Sequence, residues 1–569
     1  MSLVRHARRG LSSSRRCSPA KRPIAEYSLR LSACPMTSPT TGHFSARAAI
    51  MPAAQVSLQR RFFHDYFVTH LPSSSMHPDS RSGPGHRLPR HASTPHDPQA
   101  QGPMPTPAPA LPPNIGNRDL TVVRIPLRRA KHHFGHANSR GTRPYNEDTD
   151  AVGTISIPAF AKRGPVSIQR NPVGEGEATN AASAYGDPQV FYFGVFDGHG
   201  GTQCSHFLRD ELHGYIEEAA VTLGLQSSLK KPAATVTSTA AAATENNGTN
   251  EPPVDPLPLC KDLVHEYKQA IGGYFRRFVP RYFIDMYQEE PPIRTTIESV
   301  LMYAFLRADL DFVKAQARLP EHDSTSHDQP LNSDEYLGAP NHMPPSGHGI
   351  GTDVRFKGGS TASIAMVSTT TPAPFWHPKT SSTMIVAHVG DTRVLLCDTL
   401  TGQARPVTSD HHPSMPSEER RLRRYAPATS LVSGDSFGEE RIAGLANSRA
   451  FGDVQSKRIG VSAEPDITRV EMGPAEFSFL VLVSDGVSGT LSDQEIVDVV
   501  KEAKTPEQGA QEIIEYATEV SSNGDNATCL VVRLGGWERR QEGGVGSFGT
   551  KEMREVRRQM AMNPRMRRQ

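Results

Sequence analysis

Five short stretches of this chain place a carboxylate beside a turn: Glu147-Asp148, Asp197-Gly198, Gly390-Asp391, Asp485-Gly486 and Asp525-Asn526. In the last four the neighbour is Gly or Asn, residues suited to the backbone change where a strand stops. A carboxylate fixed at a strand end is the kind of ligand a hard divalent cation takes. Four or five such groups brought together without cationic partners would repel strongly. Divalent cations would relieve that repulsion, and all-oxygen ligands favour Mg²⁺ or Mn²⁺ over zinc. The pattern alone leaves two readings open, one shared metal site or five independent turns.

The segments around these turns read as the elements that would position them. Residues 190–196 and 477–483 are apolar runs rich in Val, Phe and Leu, of a length and composition that predict buried strands. Residues 149–157 predict a first strand and 528–534 a last one, the latter directly after Asp525-Asn526. Residues 384–389 and 393–397 flank Gly390-Asp391-Thr392 and predict a β-hairpin. Residues 203–220 carry a helical stripe of Phe207, Leu208, Leu212, Tyr215 and Ile216. Thr295-Thr-Ile-Glu298, Ser492-Asp-Gln-Glu495 and Thr505-Pro-Glu-Gln508 are helix-start signals of the capping-box kind. Strands in pairs with helices between them indicate a layered α+β domain rather than a βαβ repeat.

Not all 569 residues enter a core. Only 36% are hydrophobic, and Pro and Gly are abundant. Residues 225–258 and 319–350 read as low-complexity inserts, and residues 536–569 as a basic tail without structural signal. The six cysteines are scattered with no Cys-x-x-Cys pair, which argues against structural zinc or a disulfide framework. No apolar run approaches the length of a membrane span. The net charge of +2 conceals an asymmetry: residues 1–64 carry eleven Lys or Arg and one acid, Glu26, leaving the remainder acidic. An acidic body without a basic, aromatic-lined strip argues against a nucleic-acid platform. Residues 1–64, rich in Arg, Ser and Ala, match a mitochondrial transit peptide, with Arg60-Arg61-Phe62-Phe63 as a candidate processing site. Residues 65–118 read as a flexible Pro/Ser/His-rich spacer.

Nine motifs, taken in order, resemble the metal-dependent protein serine/threonine phosphatases of type 2C. They are Arg-x-x-x-Glu-Asp at 143–148, Phe-Asp-Gly-His-Gly-Gly at 196–201, Gly-Ser-Thr-Ala at 359–362 and Val-Gly-Asp-Thr-Arg at 389–393, followed by Asp-His-His-Pro at 410–413, Ser-Arg-Ala-Phe-Gly-Asp at 448–453, Glu464-Pro465, Ser-Asp-Gly at 484–486 and Asp525-Asn526. The resemblance covers about residues 132–534, apart from the two inserts, and places the phosphatase domain at 119–535. It implies a four-layer sandwich of two antiparallel β-sheets flanked by α-helices, with the active site at one end. It also implies two Mg²⁺ or Mn²⁺ ions bridging a water that attacks phosphorus in line, without a phosphoenzyme. A bound cation lowers the pKa of water from 15.7 to roughly 7–9.

Matched motif by motif, Asp197 would bridge the two ions. Asp485 and Asp525 would hold one, and Glu147 with the carbonyl of Gly198 the other, while Asp148 would orient water on the metal. Arg143 would grip the phosphate through its planar fork. His199 would protonate the leaving alkoxide, a task its ordinary pKa suits. His411 and His412 read as loop residues without catalytic work, and Ser360 and Thr361 as structural. Three positions depart from the family pattern. Gly489 and Ser488 stand where Asp and Trp are common, which puts a third metal and the full role of Asp391 in doubt, and His388 stands where Asn is usual. The expected substrates are phosphoproteins of the mitochondrion, in the matrix before the intermembrane space. Pyruvate dehydrogenase is one candidate, and a monomer is expected. A phosphoprotein-binding pseudophosphatase and a two-metal nuclease are the competing readings.

Overall fold

Phe191, Phe193 and Val195 point to one side of their strand, and Val190, Tyr192 and Phe196 to the other, yet all six are buried. A strand apolar on both faces must be covered on both, and here it lies between a second sheet and a helical layer. The structure, a computed structural model, describes residues 66–72, 120–126, 132–163, 187–230, 256–284, 295–317, 356–424 (without 357 and 372), 432–434, 440–541 (without 443 and 522) and 547–562. The predicted transit peptide, most of the spacer, the centre of the first insert and all of the second lie outside the described residues.

Ten strands make the sandwich: β1 (Phe134–Ser139), β2 (Thr149–Ile155), β3 (Val190–Phe196), β4 (Ala362–Thr369), β5 (Ser382–Val389), β6 (Arg393–Asp398), β7 (Ala404–Pro406), β8 (Asp466–Met472), β9 (Phe477–Val483) and β10 (Ala527–Arg533). One sheet runs β8-β5-β4-β3-β2 and the other β7-β6-β9-β10-β1, with every pairing antiparallel. Outside the first sheet lie α1 (Gln203–Thr222), α2 (Pro256–Ala270) and α3 (Ile297–Ala317). Outside the second lie α4 (Asp493–Glu502) and α5 (Pro506–Val520). The fold is therefore the α+β sandwich of two antiparallel sheets between helical layers that the sequence implied. In β9, Leu480 and Leu482 enter the inter-sheet core while Phe479, Val481 and Val483 pack under α4 and α5. Each such side chain contributes roughly 1.5–3 kcal/mol on full burial.

The helix starts follow their signals with one shift. Ser492 and Glu495 form a complete capping box, and the Thr505 hydroxyl accepts from Gln508 N–H with Pro506 in the first turn. At α3 the reciprocal pair is Thr296 with Ser299, not Thr295 with Glu298. Thr295 bonds the Leu223 carbonyl instead, and Glu298 pairs with Arg469. All five residues of the α1 stripe are buried.

Four further findings depart from the sequence reading. The first strand of the second sheet is β1, an edge strand with little apolar content that precedes the expected first strand. The segments around Gly390-Asp391-Thr392 do not form a hairpin: β5 belongs to one sheet and β6 to the other, so the turn is a corner joining the two layers. Gly390 has φ 109°, and a Cβ there would lie 2.5 Å from Thr361, so the corner excludes other residues. Tyr66–Pro72, within the spacer, pairs antiparallel with Leu120–Pro126. The tail carries a helix, α6 (Ser547–Met562), joined to α4 and α5 through Arg557–Glu495, Arg554–Glu502 and Arg558–Glu519.

Candidate active site

Strand register decides where the turn carboxylates go. Thr149 at the start of β2 pairs with Phe196 at the end of β3, which sets Asp148 beside Asp197. Arg393 at the start of β6 pairs with Val483 at the end of β9, which brings the corner residue Asp391 toward Asp485. Val483 in turn pairs with Cys529, so Asp525-Asn526 reaches the same end from β10. Both sheets thus deliver carboxylates to one end of the sandwich. Asp197, Asp391 and Asp485 each offer an oxygen within 4.8 Å of the others.

The main chain beneath the cluster is tied down. The Asp197 carbonyl accepts from Thr361 N–H at 2.8 Å and Ser360 Oγ at 2.9 Å. Asp197 N–H donates to Thr361 Oγ1 at 3.2 Å. Asp485 N–H reaches Asp197 Oδ2 at 3.4 Å. Gly198 must be glycine, because a Cβ would lie 2.5 Å from the Glu147 carbonyl. Asn526 clamps the preceding loop: its Oδ1 accepts from Glu147 N–H at 2.8 Å, and its Nδ2 donates to the carbonyls of Arg140 and Tyr145 at 3.0 and 3.1 Å. That loop carries Arg143, Glu147 and Asp148, so Asn526 positions three candidate residues at once.

The expected residues fall into a cluster and a rim. Asp148 is 5% exposed, with no hydrogen-bond donor placed on either carboxylate oxygen. Glu147 stands against Gly198, and its carboxylate accepts from Gly201 N–H. Arg143 Nη2 binds Asp525 Oδ2 at 2.8 Å, and both side chains are partly exposed. Asp525 thus lies outside the tight trio and is held by the arginine expected to grip phosphate. His199 Nε2 meets Asp453 at 2.9 Å.

Asp453, Asn526 and His411 carry positioning contacts that the sequence reading did not assign. His411 is buried, with Nδ1 accepting from Gly390 N–H at 3.0 Å and Nε2 against Asp466 at 3.0 Å. It braces the corner that carries Asp391, while the His412 ring bonds the Ala446 carbonyl at 3.1 Å. His388 is buried between Ser363 Oγ at 2.7 Å and the Ser409 carbonyl at 3.1 Å, and it stacks on His411. The signal for Asp453 and Asn526 was their place inside motifs; nothing local marked their partners.

The electrostatics fit a cation. Burial, then the charge of Asp485, pushes Asp391 up to about 7. Burial raises Asp148 to about 6, against the nearby hydroxyls of Ser484 and Thr528. Asp197 is driven well above the carboxylate range by burial, then by Asp148, Asp485 and Asp391. Carboxylates that resist ionisation together form an all-oxygen donor set for a hard divalent ion. At the rim, burial opposes charge on His199, but Asp453 outweighs it and holds the imidazole above its ordinary pKa.

Comparison with known proteins gives the family. The chain is 31% identical over 419 residues to protein phosphatase 2C homolog 4 of Schizosaccharomyces pombe, covering 74% of this chain and 84% of that protein. It belongs to the protein phosphatase 2C family. The model of this family, protein phosphatase 2C, matches residues 319–526. The mitochondrial protein phosphatase 1K of Xenopus laevis is 34% identical over 163 residues, 28% of this chain and 42% of that one. A solved serine-threonine phosphatase 2C from Toxoplasma gondii aligns at 18% identity over 70% of this chain and 94% of that chain, with a TM-score of 0.39. This phosphatase 2C is accordingly a protein serine/threonine phosphatase of a Mg²⁺/Mn²⁺-dependent family. Among its described residues no helix is long and apolar enough to cross a membrane.

Proposed function

We propose that this phosphatase hydrolyses phosphoserine and phosphothreonine in mitochondrial proteins, using two divalent cations held at the end of the sandwich. The convergence of Asp197, Asp391 and Asp485 within 4.8 Å carries the reading. Asp197, Asp485, Asp525, Glu147 and the Gly198 carbonyl would hold the ions, and Asp148 would orient water beside them. Bound there, Mg²⁺ or Mn²⁺ supplies the positive charge that activates water for in-line attack on phosphorus. Asp391 belongs to the same cluster. No carboxylate stands at Gly489, so a third ion would be held less fully.

Arg143 swings from Asp525 to the phosphate oxygens, where its two parallel N–H groups bind an anion bidentately. His199, whose pKa Asp453 holds above the ordinary imidazole value against its burial, gives its proton to the departing serine or threonine oxygen. The basic, acid-poor residues 1–64 and the likeness to a mitochondrial relative support a mitochondrial location. A phosphorylated matrix enzyme complex such as pyruvate dehydrogenase is a candidate substrate.

Phosphate release from a phosphothreonine peptide tests the chemistry, with Mn²⁺, Mg²⁺ or EDTA added to the full chain and to Asp197→Ala. Metal-dependent turnover that the variant loses is the expected result. Turnover that survives EDTA, or survives in Asp197→Ala, would overturn the site.

A further inference from the structure

Six arginines line a cavity of about 370 Å³ away from the carboxylate cluster: Arg277, Arg281, Arg420, Arg421, Arg424 and Arg449. They divide into two kinds. Arg421 and Arg449 are buried and spoken for. Both bond Glu418; Arg421 also bonds the carbonyls of Gly460 and Ser448, and Arg449 the Glu464 carbonyl and Asp466. Arg277, Arg281, Arg420 and Arg424 are exposed, and among the described residues none of their guanidinium groups pairs with a carboxylate, although the Arg281 backbone N–H donates to Glu464 Oε1 at 3.3 Å. Their elements are the turn Gly273–Arg277, the short helix Arg281–Ile284 and the helix Pro416–Arg423 with its cap, Arg424. Folding brings these separate segments to one rim although their like charges repel. Among the described residues, Glu464 and Asp466 are the only carboxylates on the wall. Guanidinium groups so placed match a phosphate ester, which accepts paired N–H donors from their planar forks.

The cavity is tied to the catalytic end by a short run of chain. Arg449 lies four residues before Asp453, whose carboxylate holds His199. Between them Phe451–Gly452 pairs with Gly359–Ser360, which in turn pairs with Gly198–His199. Four residues span at most about 14 Å, which an extended peptide covers in about four residues. A second link reaches the cluster itself: Asp466 on the cavity wall meets His411 Nε2 at 3.0 Å, and His411 Nδ1 accepts from Gly390 N–H, next to Asp391, at 3.0 Å. The arginine cavity is thus within a few residues' reach of a polypeptide whose scissile phosphate sits at the carboxylate cluster.

We propose that the cavity is a docking site for a second phosphorylated side chain, about four residues from the phosphate being removed, so that doubly phosphorylated segments are preferred substrates. This rests on the phosphatase reading for its catalytic half, whereas the binding half stands by itself. The test compares peptides with one phosphothreonine, with or without a phosphoserine four residues to either side, on the full chain with Mn²⁺. The second phosphate should raise kcat/KM about tenfold through KM in one of the two orientations, and added salt should erode the gain because the arginines are exposed. In the protein carrying Arg277→Ala, Arg281→Ala, Arg420→Ala and Arg424→Ala that advantage should vanish, while hydrolysis of p-nitrophenyl phosphate, too small to reach the cavity, stays unchanged. No advantage in the wild type, or the same advantage in the variant, overturns the proposal. If no substrate is turned over, the phosphatase reading fails separately, and fluorescence anisotropy of the labelled doubly phosphorylated peptide decides the docking: weaker binding by the variant sustains it, and equal binding overturns it.

Discussion

Removing one carboxylate from the cluster should stabilise the metal-free protein, and the structure sets the size of the effect. Two charges 4.8 Å apart repel by about 3.5 kcal/mol at an effective dielectric of about 20. Asp391, raised from 3.8 to about 7 by burial and then by Asp485, gives a similar figure: about three pKa units at 1.36 kcal/mol each, or about 4 kcal/mol. The sign follows from proton counting. Between pH 4 and 7 the folded state keeps a proton on Asp391 that the unfolded chain has lost, so metal-free stability falls as pH rises through that window and levels off above it. Asp391→Asn cannot ionise and escapes the loss. In EDTA at pH 8 its Tm should exceed the wild-type value by a few degrees, and the two should converge at pH 4.5. Excess Mn²⁺ should close most of that gap, since a ligand at 100 times its Kd adds about 2.7 kcal/mol and the variant has lost a donor. Scanning calorimetry at both pH values, with EDTA or Mn²⁺, makes the comparison. A variant no more stable than wild type in EDTA at pH 8 would refute the claim that these carboxylates are held together against their repulsion.

Three other substitutions separate the roles assigned above. Asp453→Asn should lower kcat on a phosphothreonine peptide by tenfold or more while leaving p-nitrophenyl phosphate, whose leaving group needs no proton, within about threefold; general acid catalysis is worth roughly 10²–10⁴. Equal losses on both substrates would rule out an action through His199. Glu418→Gln should destabilise by about 3–5 kcal/mol in urea unfolding, because Arg421 is then buried without the carboxylate that pairs with it and Arg449 is left with Asp466 alone of its two ion-pair partners. A loss under about 1 kcal/mol would show that other groups neutralise them. Asn526→Ala removes the clamp on residues 140–147 and should weaken Mn²⁺ activation and raise the peptide KM together, as read from metal and substrate titrations. Unchanged titrations would mean that the loop holds its shape without the clamp.

The legible parts of this chain are those whose cause is local. β3 and β9 announced themselves because both faces are covered, so neither face needed polar residues. The caps of α4 and α5 were readable because donor and acceptor lie three residues apart. β1 was invisible for the opposite reason: it lies at a sheet edge, half-exposed, and its Gly135 is required by α5, where a Cβ would meet the Glu507 backbone at 2.1 Å. The docking of α6 depends on charge pairs with α4 and α5 between 39 and 62 residues away in sequence. No periodicity within the tail could show it.

The Gly390-Asp391-Thr392 turn shows where local signals end and topology begins. A Gly-Asp turn between two strands has the same appearance whether the strands pair with each other or diverge into separate sheets. The difference matters chemically. A hairpin would have kept Asp391 at the edge of one sheet, with Asp485 on another. Because β5 and β6 belong to different layers, the turn crosses the end of the sandwich and carries its carboxylate across the gap that separates Asp197, after β3, from Asp485, after β9. His411 bonds the Gly390 N–H from beneath and is anchored by Asp466 at the start of β8, so the corner is supported from the far edge of the first sheet. The carboxylate positions could be read as strand ends; their convergence follows from one corner between sheets, which only the long-range pairing of β6 with β9 determines.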